Sequence, residues 1–113
     1  MTQHKDQTRL RHMLAHAQEA VEMARMRSRQ DLDTNRQLNL SLVRLTEIVG
    51  EAAARVSPAS QARYTAIPWP EVIGLRNRLI HGYDSVDFDI LWDIIQYDLP
   101  PLIDTLQKIL NED

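Results

Sequence analysis

Residues 38–56 read LNLSLVRLTEIVGEAAARV, and six apolar side chains in this stretch follow one another at alternating steps of four and three. They are Leu38, Leu42, Leu45, Val49, Ala52 and Val56. This spacing places them on one face of an α-helix. Further apolar surface lies beside that face, at Leu40, Val43 and Ile48, and Gly50 leaves room for a close neighbour. A helix that is apolar on more than one side is usually central to a bundle or shared between subunits, so we expect this one to form part of a dimer interface.

The segments next to this helix also predict helical structure. Apolar residues at steps of three and four indicate a first helix over residues 4–28. After the central helix, Ser57 and Pro58 should end the helical run and lead into a short turn at residues 59–64. A further helix is predicted over residues 70–81, with Pro70 in the first helical position, where its missing N–H is no loss.

The C-terminal part completes the predicted bundle. Ser85 or Asp87 should cap the helix that follows, and Pro100 with Pro101 should kink or restart the chain before a last amphipathic helix. No strand-like alternation of any length is present. The predicted fold is therefore all-α, an up-and-down bundle of four or five helices that forms one domain over residues 1–113.

Composition restricts the class of protein. The chain has no cysteine, which excludes disulfides and thiol chemistry and fits a reducing cytoplasm. No apolar run approaches the roughly 18 residues that a membrane span needs, so we expect a soluble protein without a membrane partner. The net charge of -3 argues against a generic nucleic-acid binder, and no DNA partner is expected. Eleven of the 13 basic residues are arginines, however, and these could form local positive patches.

The most informative segment is residues 76–83, RNRLIHGY. On one uninterrupted helix, Arg76 falls within an apolar arc, and a buried guanidinium requires a carboxylate, a phosphate or a hydrated cleft. Glu51 on the central helix is a candidate for that carboxylate. His81 lies about 140° around the helix from Arg76, so a second copy of the helix across a dimer axis could be needed to complete a site. Gly82 should stop the helix and free Tyr83 to fold back over its end.

Arg76, His81 and Tyr83 complete the pattern R-x4-H-x-Y. Further segments that resemble one known protein family run along most of the chain. It covers Ile48 to Ala53, Ile67 to Trp69 with Glu71, Gly74 to Asn77, Leu91 to Asp93, and Asp98 to Leu102. In these segments the chain resembles the HepT-like toxins of the HEPN superfamily. The resemblance implies a small all-α homodimer that acts as a metal-independent endoribonuclease on tRNA or mRNA. It also implies a minimal nucleotidyltransferase antitoxin, encoded nearby, that silences the toxin by attaching AMP to Tyr83.

Ribonuclease chemistry without a metal assigns roles to the motif residues. It needs a base for the 2′-hydroxyl, charge stabilisation at the phosphoryl group and an acid for the 5′-oxygen. His81 can be base or acid, and Arg76 can hold the phosphate. Asn77 can orient His81 or a phosphate oxygen, and Tyr83 offers a hydroxyl. Arg78 and Glu51 are expected to support the site, and no cofactor is expected.

Other interpretations compete with this one. His12 and His16 are four residues apart, as two metal ligands on one helix face would be, but no third ligand is obvious, so a solvated face is the simpler reading. The acidic pairs Asp87/Asp89 and Asp93/Asp98 are expected to cap helices and solvate their faces rather than to bind Mg²⁺. Trp69 and Trp92 are expected to anchor the core or an interface, and base stacking is their alternative role. The alternative function is a non-catalytic helical subunit that binds substrate for, or regulates, a nucleotidyltransferase.

Overall fold

The computed structural model describes residues 3–81 and 85–112. The described elements, in chain order, are α1 (His4–Ala24), α2 (Asp31–Thr34), α3 (Arg36–Ala54), α4 (Pro58–Arg63), α5 (Trp69–Ile73), α6 (Leu75–Leu79), β1 (Ile80–His81), β2 (Ser85–Val86), α7 (Phe88–Asp93), a π-helical turn (Ile94–Asp98) and α8 (Leu99–Glu112). The all-α helical fold predicted from the sequence is confirmed. The described residues also include a short antiparallel pair, β1–β2, which was not predicted and in which Ile80 lies opposite Val86 and His81 opposite Ser85. Strands of two residues are too short to show an alternating pattern.

The core lies between the three long helices. α1 packs against both α3 and α8, and its inward side chains Leu10, Met13, Ala17 and Ala20 are fully buried. The helix is shorter than the predicted 4–28, because Arg25 is extended and Met26 adopts a left-handed conformation with φ of 66°. No helix within the described ranges is long and apolar enough to cross a membrane.

α3 matches the predicted central helix closely. Asn35 caps its first turn, since the side-chain Oδ1 accepts from the backbone N of Leu38 at 3.0 Å. The predicted apolar face is buried along its length, whereas Leu40 on the other side is 51% exposed. At Gly50 a Cβ atom would lie only 3.0 Å from the carbonyl oxygen of Val72. Gly50 therefore allows α5 to cross α3 at close range, as the sequence suggested.

The segment after α3 is helical rather than a turn. Ser57 caps α4, with Oγ accepting from Ser60 N at 3.2 Å. The buried carboxylate of Asp6 in α1 accepts from Ser57 N at 3.0 Å and from the hydroxyls of both serines. Burial by itself would raise the pKa of Asp6, but these hydrogen bonds, with the nearby charge of Arg9, hold that pKa below its usual value.

The predicted single helix over residues 70–81 was wrong in two respects: it is interrupted, and it ends earlier than predicted. It is divided into α5 and α6 at Gly74, and α6 stops at Leu79, after which Ile80 is extended. Pro70 occupies the second helical position, after Trp69. The carbonyl of Leu79 accepts from the backbone N of Asp87 at 2.9 Å. The pairing of β2 with β1 therefore takes the place of a further helical turn.

The proline pair near the C-terminus is accommodated by a wider turn. Of the two predicted caps, Asp87 caps α7, with Oδ1 accepting from Ile90 N at 3.0 Å. The π-helical turn Ile94–Asp98 then precedes α8, which begins at Leu99. Prolines 100 and 101 lack the N–H groups that a continuous α-helix would use, and the widened turn places them in the first turn of α8, where those donors are not needed.

Candidate functional site

Arg76 lies on the surface and not in an apolar arc. Its side chain is 60% exposed, and Nε donates to Oε2 of Glu47 in α3 at 2.9 Å. The expectation of a buried arginine was wrong because it assumed one unbroken helix over 70–81. With α6 starting at Leu75, the buried positions are Leu75 and Leu79, and Arg76 points along the surface of α3.

The carboxylate beside Arg76 belongs to Glu47 and not to Glu51. Glu51 instead accepts from Nη1 of the exposed Arg44 at 3.2 Å. Glu47 is largely shielded, with 17% of its side chain exposed, so its bond to Arg76 is less open to water than a typical surface pair. Glu51, the candidate named from the sequence, lies one helical turn from Glu47 on the same face of α3, so that assignment was wrong by one turn.

The contact through Nε leaves the far side of the guanidinium available. The part of the chain that the structure describes gives the two terminal nitrogens of Arg76 no hydrogen-bond partner. Those nitrogens form the planar fork that matches two oxygens of a carboxylate or phosphate. Arg76 is thus held by an anion on one side and can receive a second anion on the other.

His81 lies in strand β1, directly after α6. Its side chain is 60% exposed, and Nε2 lies 3.7 Å from Oδ2 of Asp87, whose other carboxylate oxygen caps α7. Because His81 is in an extended segment, the predicted 140° separation from Arg76 on one helix does not apply. Asp87 was expected only as a helix cap, and its proximity to His81 depends on the pairing of β1 with β2, which the sequence pattern did not reveal.

The other predicted site residues are placed differently. Asn77 is exposed and makes no side-chain hydrogen bond within the described ranges. Arg78 donates to Oδ2 of Asp98 at 2.7 Å and so ties α6 to the π-helical turn. Tyr83 lies outside the described residues.

A cleft of about 400 Å³ opens beside Arg78, between α5–α6 and the C-terminal helices. Its lining is mainly apolar and includes Leu75, Leu99 and Leu102, with Arg78 and Asp98 at one edge. Tyr97, which is 72% exposed, also borders it. Because Arg78 is already paired with Asp98, it does not offer the cleft a free charge. What the cleft adds next to the motif is apolar surface.

The residues considered above for metal binding or as core anchors make structural contacts. His16 Nδ1 lies 2.7 Å from the carbonyl oxygen of His12, so this ring nitrogen is engaged with the backbone. Within residues 3–81 and 85–112, no group of three or more histidine, aspartate or glutamate side chains is arranged to hold a metal ion. Trp69 is a core anchor as predicted, 7% exposed with Nε1 donating to the Tyr64 carbonyl at 3.0 Å.

Comparison with known proteins identifies the family. The model of the HepT-like family, described as ribonuclease HepT-like, matches residues 10–109. A Caldanaerobacter subterraneus protein named "Putative RNase TTE0752" is 30% identical over 104 residues, which is 92% of this chain and 93% of that protein. A Thermococcus cleftensis protein named "Probable ribonuclease HepT" is 30% identical over 95 residues, covering 80% and 86% of the two chains. No solved structure matches. With a family match that spans α1 to α8 and carries the complete R-x4-H-x-Y motif, the chain belongs to the HepT-like ribonuclease family.

Proposed function

We propose that this protein is a metal-independent endoribonuclease that acts as the toxin of a HEPN/nucleotidyltransferase toxin-antitoxin pair, with tRNA or mRNA as substrate. The observation that carries the proposal is the pairing of Arg76 and His81 within one short segment, both accessible to solvent and each beside a carboxylate. A helix end with a purely structural role needs neither an arginine whose terminal nitrogens have no partner among the described residues nor an exposed histidine five positions later.

The proposed reaction is a transesterification at phosphorus. The Arg76 fork binds the non-bridging phosphate oxygens and stabilises the charge that develops on them. His81 exchanges a proton with either the attacking 2′-oxygen or the leaving 5′-oxygen. The 2′-oxygen forms a new bond to phosphorus as the bond to the 5′-oxygen breaks, which leaves a 2′,3′-cyclic phosphate and a 5′-hydroxyl. Asn77 is close enough in sequence to assist at the phosphate, and the hydroxyl of Tyr83 is a further candidate.

Regulation forms the second part of the proposal. The partner is a minimal nucleotidyltransferase, and the modified residue is Tyr83, two positions after His81. An attached AMP would bring a phosphodiester anion next to the site, where it competes with RNA for Arg76. Intact mass spectrometry after co-expression with the adjacent enzyme tests this part. A silenced protein with unmodified Tyr83 would refute adenylylation and favour simple masking.

The activity is tested directly with purified protein and RNA in EDTA. We expect cleavage to persist in the chelator and to yield cyclic phosphate ends. His81→Ala and Arg76→Ala should each lower the rate on the order of a hundredfold or more, the scale for loss of an acid-base or charge-stabilising group. Cleavage that requires added Mg²⁺ would overturn metal independence. A folded wild-type protein with no activity on tRNA or mRNA would favour the non-catalytic regulatory subunit instead.

A further inference from the structure

Asp87 connects the candidate catalytic histidine to the rest of the fold. One carboxylate oxygen, Oδ1, accepts from Ile90 N at 3.0 Å and caps α7. The other, Oδ2, lies 3.7 Å from Nε2 of His81. The backbone N of Asp87 donates to the Leu79 carbonyl at 2.9 Å, at the end of α6. Asp87 is therefore fixed through its backbone N–H and one carboxylate oxygen, and the other carboxylate oxygen is the one that lies near the histidine.

We infer that Asp87 is a positioning residue for His81: it keeps the ring proton on Nε2 and leaves Nδ1 to exchange a proton with the RNA. This inference rests on the proposed ribonuclease function. A single proton moves between Nδ1 and an oxygen of the RNA, and the proton on Nε2 stays in place. The separation of 3.7 Å is within ion-pair range but beyond a hydrogen bond, and contacts of this kind tighten when substrate binds.

The surrounding charges single out Asp87 for this role. Within the described ranges, it provides the one carboxylate oxygen within 4.0 Å of a His81 ring nitrogen. Asp89, two residues later in the same helix, is held elsewhere because its Oδ1 accepts from Nε of Arg29 at 2.6 Å. Asp89 thus offers a matched control of the same charge in the same helical turn.

Because Asp87 also caps α7, the variant Asp87→Asn is expected to change the contact with His81 and to keep the helix cap. Asparagine caps helices as well as aspartate does, so its Oδ1 should keep the bond from Ile90 N. Its amide nitrogen then occupies the place of Oδ2 and presents a donor to Nε2 of His81. A donor at that place favours a lone pair on Nε2 and a proton on Nδ1, which is the wrong tautomer for proton exchange with the RNA. Asp87→Ser keeps a cap as well but places no group against the ring.

The experiment combines kinetics with NMR of the full chain. For Asp87→Asn we expect kcat to fall by about tenfold or more, with KM and the melting temperature nearly unchanged. Asp87→Ser should lose less activity, and Asp89→Asn should retain wild-type kcat. In spectra that correlate imidazole ¹⁵N and ¹H, the neutral ring of His81 should carry its proton on Nε2 in the wild type and shift toward Nδ1 in Asp87→Asn.

The outcomes separate this inference from the proposed function. A wild-type protein that cleaves RNA, together with an equally active Asp87→Asn, overturns the positioning role alone. Equal losses in Asp87→Asn and Asp89→Asn also overturn it, because they would indicate a general effect of charge. An unchanged tautomer in Asp87→Asn contradicts it irrespective of activity. A wild-type protein without ribonuclease activity overturns the proposed function, and the inference with it.

Discussion

At the scale of single residues, Glu47 decides how Arg76 is presented. It holds the guanidinium through Nε at 2.9 Å and leaves the terminal nitrogens for a phosphate. We expect Glu47→Ala to lower kcat roughly fivefold, the equivalent of about 1 kcal/mol for a partly exposed ion pair. RNA binding should not weaken, because the substitution removes a negative charge near the phosphate. Single-turnover kinetics and an RNA titration measure the two effects.

Glu51→Ala is the matched control for this prediction. It removes the same side chain one turn away on the same helix, where the partner is the exposed Arg44, and should leave the rate unchanged. Equal rates for Glu47→Ala and the wild type would show that Arg76 needs no anchor. The sequence predicted that a carboxylate on α3 anchors Arg76, but it named Glu51, and the anchor is Glu47. That choice depends on the antiparallel crossing of α5–α6 over α3, where Val72 meets Gly50 and the later Arg76 meets the earlier Glu47.

At the scale of elements, length determines what could be predicted. α3 and α8 carry several turns of apolar periodicity, and their existence followed from the pattern alone. α2, α5 and α6 have four or five residues each, too few for a period of 3.6 to be recognised. The break between α5 and α6, on which the exposure of Arg76 depends, falls at Gly74 and was not predicted from the apolar periodicity.

The junction between α1 and α4 gives a prediction at this scale. Asp6 accepts hydrogen bonds from Ser57 and Ser60, and its pKa is lowered from the usual 3.8. A lowered pKa in the folded state means that the stabilisation is complete above about 3.8 and is lost as the pH falls through the folded value. We expect Asp6→Asn to destabilise the fold by about 1–3 kcal/mol at pH 7 and by less in acid.

Urea denaturation at pH 7 and at several values below pH 4 measures this difference. Asp104→Asn, at an exposed position of α8, is the control and should not alter the free energy of unfolding. If Asp6→Asn and the wild type differ by the same amount at every pH, the carboxylate charge is not what stabilises the junction.

At the scale of the whole molecule, we propose a homodimer formed through the exposed side of α3. Leu40 is 51% exposed on this helix, and Val43 is partly buried beside the core. Glu47, which holds Arg76, is on the same helix, so a partner on this side would bring a second Arg76 and His81 toward the first. A cleft with two histidines could supply both the acid and the base that cleavage needs.

The test places a charge in the proposed interface. We expect the wild type to have twice the chain mass of 13.1 kDa in light scattering at micromolar concentration, and Leu40→Arg to be monomeric and to lose most of its activity. Met26→Arg is the control: it charges another exposed apolar residue, 96% accessible and outside the helices, and should leave both mass and activity unchanged. This test distinguishes formation of the dimer from its contribution to the active site. A monomeric Leu40→Arg with full activity would keep the interface but show that one chain completes the site, whereas a fully active monomeric wild type would refute the dimer itself.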